Sequence, residues 1–250
     1  MAGPPRLLFE SARYEPLPGD ATTGVLAKII LGLADGKPAF DYASFQRFEK
    51  AVLLVRDPRD WLVSGMLFLP QQHPEIYGNS QRRSELMQLL QRKEREPDRV
   101  SFTELFQFIA LSLKGQSPQG MLDWITAQLA WLIAFDQSMT GHHRLRYEDF
   151  VAGRLAPLEQ YLGLPLTGTA EVDPIHGHVP RSRTSGDWKN WFIAGDEATF
   201  APALAPFINH YGYASDWSVA QARHIPTALA SGYVERTMAR RLPEAEGSEP

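Results

Sequence analysis

Apolar residues fall into short blocks along the chain, and their spacing changes from block to block. Leu7-Leu8-Phe9 is a brief apolar run closed by Glu10 and reads as a buried strand. The stretch from Tyr14 to Asp20 carries Pro16, Pro18 and Gly19, so it reads as a loop. Val25, Ile29 and Leu33 recur at helical spacing and predict a helix over 21–33, ended by Gly36. A short helix is expected over 40–48. Ala51 to Val55 is apolar throughout, which suits a parallel strand covered on both faces. Helices are then predicted over 58–69, over 81–96 with Leu86, Leu89 and Leu90 on one face, over 102–113 and over 121–135. A strand over 143–147 leads into a helix over 150–162 that Gly163 stops. Residues 164–188 read as irregular, with short helices near 197–210 after them. Strand, helix and strand in this order predict an α/β fold, a parallel sheet with helices on both faces.

Composition narrows the class. The chain has 250 residues, 44% of them hydrophobic and 22% charged, which suits one α/β domain over 1–215. Beyond it a tail is expected over 216–250. Its last eight residues, Pro243 to Pro250, are acidic and apolar-poor, and disorder is expected there. The net charge of −4 points to neither nucleic acid nor a membrane surface, so an anionic ligand would need a local basic cluster. With no cysteine there is no disulfide, thiolate catalysis or cysteine-held metal. No apolar run approaches the roughly 20 residues that span a bilayer. A soluble, cytoplasmic protein is the expectation.

The candidate chemistry begins at Val52-Leu53-Leu54-Val55-Arg56-Asp57-Pro58-Arg59-Asp60. Arg56 ends a strand, at the carboxyl edge where open parallel sheets bind ligands. Asp57 can cap a helix, Pro58 suits its first position and Asp60 favours its positive end. Helical spacing sets Leu62, Gly65, Met66 and Leu69 toward a core and Trp61, Ser64 and Phe68 on another face. Arg56 and Ser64 could therefore meet one phosphate. On the residues alone, a capped strand-to-helix turn with a surface arginine is the other reading.

Val-Arg-Asp-Pro-Arg-Asp, with a serine eight residues after its first arginine, resembles the 3′-phosphate motif of sulfotransferases that use 3′-phosphoadenosine 5′-phosphosulfate (PAPS). Arg146-Tyr147-Glu148-Asp149-Phe150 is similar to that family's Tyr-Glu-Asp-Leu segment. Arg181-Ser182-Arg183-Thr184-Ser185-Gly186-Asp187-Trp188-Lys189-Asn190-Trp191-Phe192 is similar to its late Arg-Lys-Gly…Gly-Asp-Trp-Lys-Asn-x-Phe motif, with Ser182 and Arg183 in place of the family's Lys and Gly. The three segments occur in family order, and the likeness covers roughly residues 7–215. It implies a three-layer α/β/α fold of the P-loop NTPase type. It also implies that Arg56, Ser64, Arg181 and Arg183 hold the 3′-phosphate of PAPS or of its product PAP, that Tyr147 contacts the adenine, and that Trp188 and Lys189 belong to the same cofactor site.

The family's phosphate loop, Pro-Lys-Ser-Gly-Thr-Thr or a close variant, has no counterpart. Pro18-Gly19-Asp20-Ala21-Thr22-Thr23-Gly24 lacks a cation and carries a repelling aspartate. In the better-fitting register Leu7-Leu8-Phe9-Glu10 is the family's second strand, and the first strand and loop are missing. That register makes Glu10 the expected catalytic base, with Glu15 second. The implied reaction moves a sulfuryl group to a hydroxyl or amine of an acceptor, a glycan or small metabolite, without a metal. The alternative is a truncated, non-catalytic nucleotide-binding or scaffold protein. Residues 70–120 are the expected helical cap on the acceptor side. Arg82, Arg83, Arg92, Lys93 and Arg95 there read either as a contact for an anionic acceptor or as a solvated helix face. His142-His143 and His176-Gly177-His178 lack a third ligand at useful spacing, and no metal is expected.

Overall fold

The computed structural model describes residues 5–167 and 184–242. The chain divides into two compact units, Met1–Leu53 with Ala127–His143 and Leu54–Thr126 with Arg144–Pro250. Among the described residues it is a mixed α/β protein with three two-stranded sheets and no closed barrel. No described helix is long and apolar enough to cross a membrane.

The first unit opens on β1 (Arg6–Phe9), one helical turn α1 (Asp20–Thr23) and β2 (Val25–Lys28). β1 and β2 run parallel, with Arg6 opposite Val25 and Phe9 opposite Lys28. The helix expected over 21–33 is thus corrected to a turn and a strand. Residues four apart share a face in a helix, but four is also a multiple of two, so Val25, Ile29 and Leu33 share a face of an extended chain equally well. Gly24, at φ +79°, ends α1 and tips the balance. β1 is not the buried strand expected: Leu7 is 69% exposed and Phe9 59%. A four-residue run cannot reveal by itself whether one face or both are covered.

β3 (Leu33–Ala34) and β4 (Lys37–Pro38) pair antiparallel across Asp35-Gly36. Both turn residues have positive φ, 51° and 74°, the geometry that suits a tight hairpin. α2 (Tyr42–Phe45) follows. The core of this unit is aromatic. Phe40 meets Trp131 and Phe135 edge-on at 6.1 and 5.7 Å, and Tyr42 meets Phe135 at 4.8 Å.

β5 (Val52–Val55) pairs with a later strand and leads into α3 (Pro58–Phe68). Leu53 and Val55 are buried, but Val52 and Leu54 are 40% and 54% exposed. The strand is therefore covered on one face, not two. α4 (Pro74–Tyr77), α5 (Ser80–Arg95), α6 (Phe102–Ser112) and α7 (Pro118–Ser138) follow. β6 (His143–Arg146), the partner of β5, runs straight into α8 (Tyr147–Val151). Gly153, at φ +70°, then breaks the helix expected over 150–162, and α9 (Ala156–Leu162) restarts it with a proline in its first turn. Gly163 ends α9 in the left-handed conformation, as its position predicts.

After residue 183 come α10 (Trp188–Trp191) and α11 (Asp196–His210), the latter one continuous helix where shorter pieces are expected. α12 (Ser231–Ala239) lies in the segment read as a tail. Its Tyr233, Val234 and Met238 are buried, and it packs on α3 and α5. The disorder expected at 243–250 lies outside the described residues.

The second unit is built on α6, whose Phe102, Leu105, Phe106 and Ile109 form a buried stripe at helical spacing. Phe102 stacks on Phe192 at 4.6 Å and meets Phe200 at 5.5 Å. Asp196 fixes this arrangement. Fully buried, it accepts from the amides of Phe102 (2.9 Å), Thr103 (2.8 Å) and Ile193 (2.8 Å) and from the Thr103 hydroxyl (2.6 Å). One carboxylate thus caps α6 and closes the turn into α11. Asp196→Ala leaves one buried and two half-buried amides without an acceptor, and urea unfolding is expected to show a loss of about 3 kcal/mol.

Lys93 is another buried charge, 1% exposed, with Nζ donating to the carbonyls of Pro97 (2.8 Å) and Val100 (2.5 Å). Burial pulls its pKa from 10.5 to about 8, against the opposing charge of Asp196. Between those two values the unfolded chain holds the proton and the folded chain does not. Stability from this group is therefore complete above pH 10.5 and lost as the pH falls through 8. Unfolding free energies from urea denaturation between pH 7 and 10.5 are expected to rise in the native protein, by up to about 3 kcal/mol relative to Lys93→Met, whose curve lacks this rise.

Candidate functional site

The site is built on the turn between β5 and α3. Asp57 caps α3 through its side chain, which accepts from the Arg59 amide at 2.9 Å, and Pro58 takes the first helical position. The capped turn read from the sequence is present. Its residues also bind three other segments of the second unit, and that wider role is what the sequence did not announce.

The first tie runs to α8. The Asp57 amide donates to Glu148 Oε1 at 2.9 Å, and the Tyr213 hydroxyl donates to Glu148 Oε2 at 3.1 Å. Burial, reinforced by the Glu148 charge, holds the Tyr213 pKa far above the ordinary phenol value, so the ring stays a neutral donor. The tie brings Tyr147 beside Arg56: the guanidinium carbon lies 4.8 Å from the centre of the tyrosine ring.

The second tie is Arg59. Its side chain is 2% exposed and makes a two-pronged pair with Asp57 at 2.9 and 2.6 Å. It also donates to the carbonyls of Asp216 (2.6 Å) and Ala214 (3.0 Å). Its guanidinium carbon lies 4.0 Å from the Trp188 ring centre and 5.4 Å from that of Trp217. The third tie is Asp60, 1% exposed, which accepts from the amides of Gly186 (2.6 Å) and Trp188 (2.8 Å). Burial raises its pKa, while those amides and the charge of Arg56 act against the rise.

Arg56 itself is used by none of these ties. Its Nε is buried and has no hydrogen-bond partner among the described residues. Ser64 is exposed on the face of α3 that also shows Trp61 and Phe68, the face its spacing predicts. Trp188 is 2% exposed, enclosed by Arg59, Phe192 and Trp217. Lys189 beside it is exposed, its Nζ 5.6 Å from the Trp188 ring. Arg181 and Arg183 lie outside the described residues.

Glu10 belongs to the first unit. It stands just past β1 at φ +56°, its amide donating to the Lys28 carbonyl (2.8 Å) and its Oε1 paired with Lys28 Nζ at 2.6 Å. On α5, Arg82 pairs with Glu85, Arg92 with Glu104, Arg83 donates to the Tyr77 carbonyl and Lys93 is buried, so most of these cations are engaged. His142 is paired with the buried Asp136 at 2.6 Å, whereas His176 and His178 lie outside the described residues.

Sequence reasoning passes over Arg59, Asp60, Glu148 and Tyr213 as site-forming residues. A signal for the first existed: Arg59, Leu62, Val63 and Met66 share one helical face, and that face is buried. The arrangement as a whole presents a half-buried cation whose Nε is unpaired among the described residues, an aromatic ring against it and a helix N-terminus, a combination suited to an anion carried on a flat ring system. Comparison with family models, with curated proteins and with solved structures returned no match to this chain.

Proposed function

We propose that the chain is a PAPS-dependent sulfotransferase whose second unit grips the 3′-phosphoadenosine end of the nucleotide. The observation that carries this reading is Arg56. Leaving a buried donor unpaired costs about 1–3 kcal/mol, which a bound phosphate would relieve with a charge-assisted bond. In this reading Arg56 and Ser64 take the 3′-phosphate together with Arg181 and Arg183, and Tyr147 lies along the adenine. Lys189, on α10, supplies an exposed positive charge beside Trp188. Trp188 acts from behind, by holding Arg59 and through it Asp57. The reading carries the family's three-layer α/β/α arrangement with it, in which β5, β6 and α3 would be central elements.

PAPS would supply the activated sulfuryl group, which passes to an acceptor hydroxyl or amine as PAP leaves. Glu10 would take the acceptor proton, and nearby cations would offset charge on the departing phosphate. A second reading, nucleotide binding without transfer, is favoured by one specific observation: the Glu10 carboxylate is engaged by Lys28.

Calorimetry with PAP tests what the two readings share. Saturable binding is the expected result, and no binding at millimolar nucleotide would overturn both. Transfer of labelled sulfate to a panel of hydroxyl and amine acceptors separates them.

A further inference from the structure

Beside Glu10 the first unit contains a groove of about 330 Å³, within the range of small-ligand sites. It lies past the ends of β1 and β2, at the carboxyl edge of a parallel pair, where such sheets bind ligands. Its apolar lining includes Ile30, Leu33 and Phe40. The floor is preformed. Gln128 clamps Leu33 from both sides, its Oε1 accepting from the Leu33 amide (2.8 Å) and its Nε2 donating to the Leu33 carbonyl (3.0 Å). Phe40 is held edge-on by Trp131 at 6.1 Å.

The polar side chains of the lining are Glu10 and Ser11. Ser11 spends its only proton on the Arg13 carbonyl at 2.6 Å, so its oxygen can only accept. Glu10 Oε1 accepts from Lys28, and Oε2 has no hydrogen-bond partner among the described residues. Glu10 is also held in the left-handed backbone region, which a residue with a side chain seldom adopts. Both polar side chains thus offer acceptors, one of them a carboxylate, above an apolar floor.

We infer that this groove is a binding site for a small primary ammonium compound with an aryl or branched-alkyl body. The apolar body lies on Leu33 and Phe40, and the ammonium donates to Glu10 Oε2 and Ser11 Oγ. Lys28 is its rival for Glu10, and the groove is tuned by that competition. The inference uses residues of the first unit alone and is read out by binding, so it stands or falls separately from the nucleotide.

Calorimetry and NMR titration of the full chain with 2-phenylethylammonium, 2-phenylethanol and 3-phenylpropionate test it. The ammonium is expected to bind saturably and shift the Trp131 indole signal, the alcohol to bind more weakly and the carboxylate not at all. Glu10→Gln should weaken the ammonium roughly fivefold, the scale of a solvent-exposed charge pair, and Lys28→Met should tighten it by a similar factor. Ile30→Trp, placed at the exposed groove wall, should abolish binding while leaving the urea midpoint in place. The inference is overturned if the ammonium fails to saturate, if the carboxylate binds as well, or if Glu10→Gln leaves affinity unchanged.

Discussion

Arg59→Ala is expected to destabilise the protein by about 3–5 kcal/mol, the cost of stripping one partner from a buried ion pair. The side chain is 2% exposed and every part of it is in use: the fork to Asp57, the two carbonyls at 214 and 216, and the faces of Trp188 and Trp217. Alanine leaves the Asp57 carboxylate buried without its cation, two carbonyls without donors and a void between two indoles. Lysine does not repair this, because one ammonium cannot span a carboxylate and two carbonyls while lying flat against a ring. Urea denaturation should place Arg59→Lys nearer to alanine than to the native protein. The double change Asp57→Asn with Arg59→Met should cost less than the sum of the single changes, since it removes both charges together. Equal costs for the double change and the summed singles would show that the pair is not the source of the stability.

The contrast between Arg56 and Arg59 also shows where sequence reasoning succeeds and where it stops. Two arginines three apart in one motif are equivalent by composition. Strand-end position singles out Arg56, whose Nε has no partner among the described residues and whose guanidinium lies beside Tyr147. The helical face shared with Leu62 and Met66 marks Arg59 as inward, yet nothing local reveals that Trp188, more than a hundred residues later, covers it. Long helices such as α5, α6 and α7 were legible because their apolar stripes repeat over several turns. Val25, Ile29 and Leu33 are ambiguous because a four-residue interval fits both periods, and only Gly24 separates them. The exposure of β1 was illegible for another reason. An alternating strand with one bare apolar face and a strand buried on both faces look alike when only four residues long. The ties made by Glu148 and Tyr213 depend on contacts between distant segments, which no local pattern encodes.

Arg56→Ala is expected to do the opposite of Arg59→Ala: to leave stability within about 0.5 kcal/mol of the native protein and to weaken PAP binding by about 100-fold. The first half follows from what Arg56 does not do. Among the described residues it makes no salt bridge and its Nε has no partner, so truncation breaks the contact with Tyr147 and the longer-range attraction to Asp60, and the removal of a buried donor that costs energy in the unliganded protein offsets those losses. The second half follows from the charge-assisted bonds that a phosphate would form with the guanidinium fork. Arg56→Lys keeps the charge but not the fork, and should fall between the two with a salt dependence close to native. Ser64→Ala should weaken binding less, by the loss of one neutral donor, again without a change in the urea midpoint. Calorimetry paired with urea denaturation on each variant reads both quantities. A stability loss for Arg56→Ala comparable to that of Arg59→Ala would make Arg56 a second structural rivet. Unchanged PAP affinity would remove the nucleotide from this site. Loss of affinity with stability retained is the one pattern that a purely structural turn cannot produce.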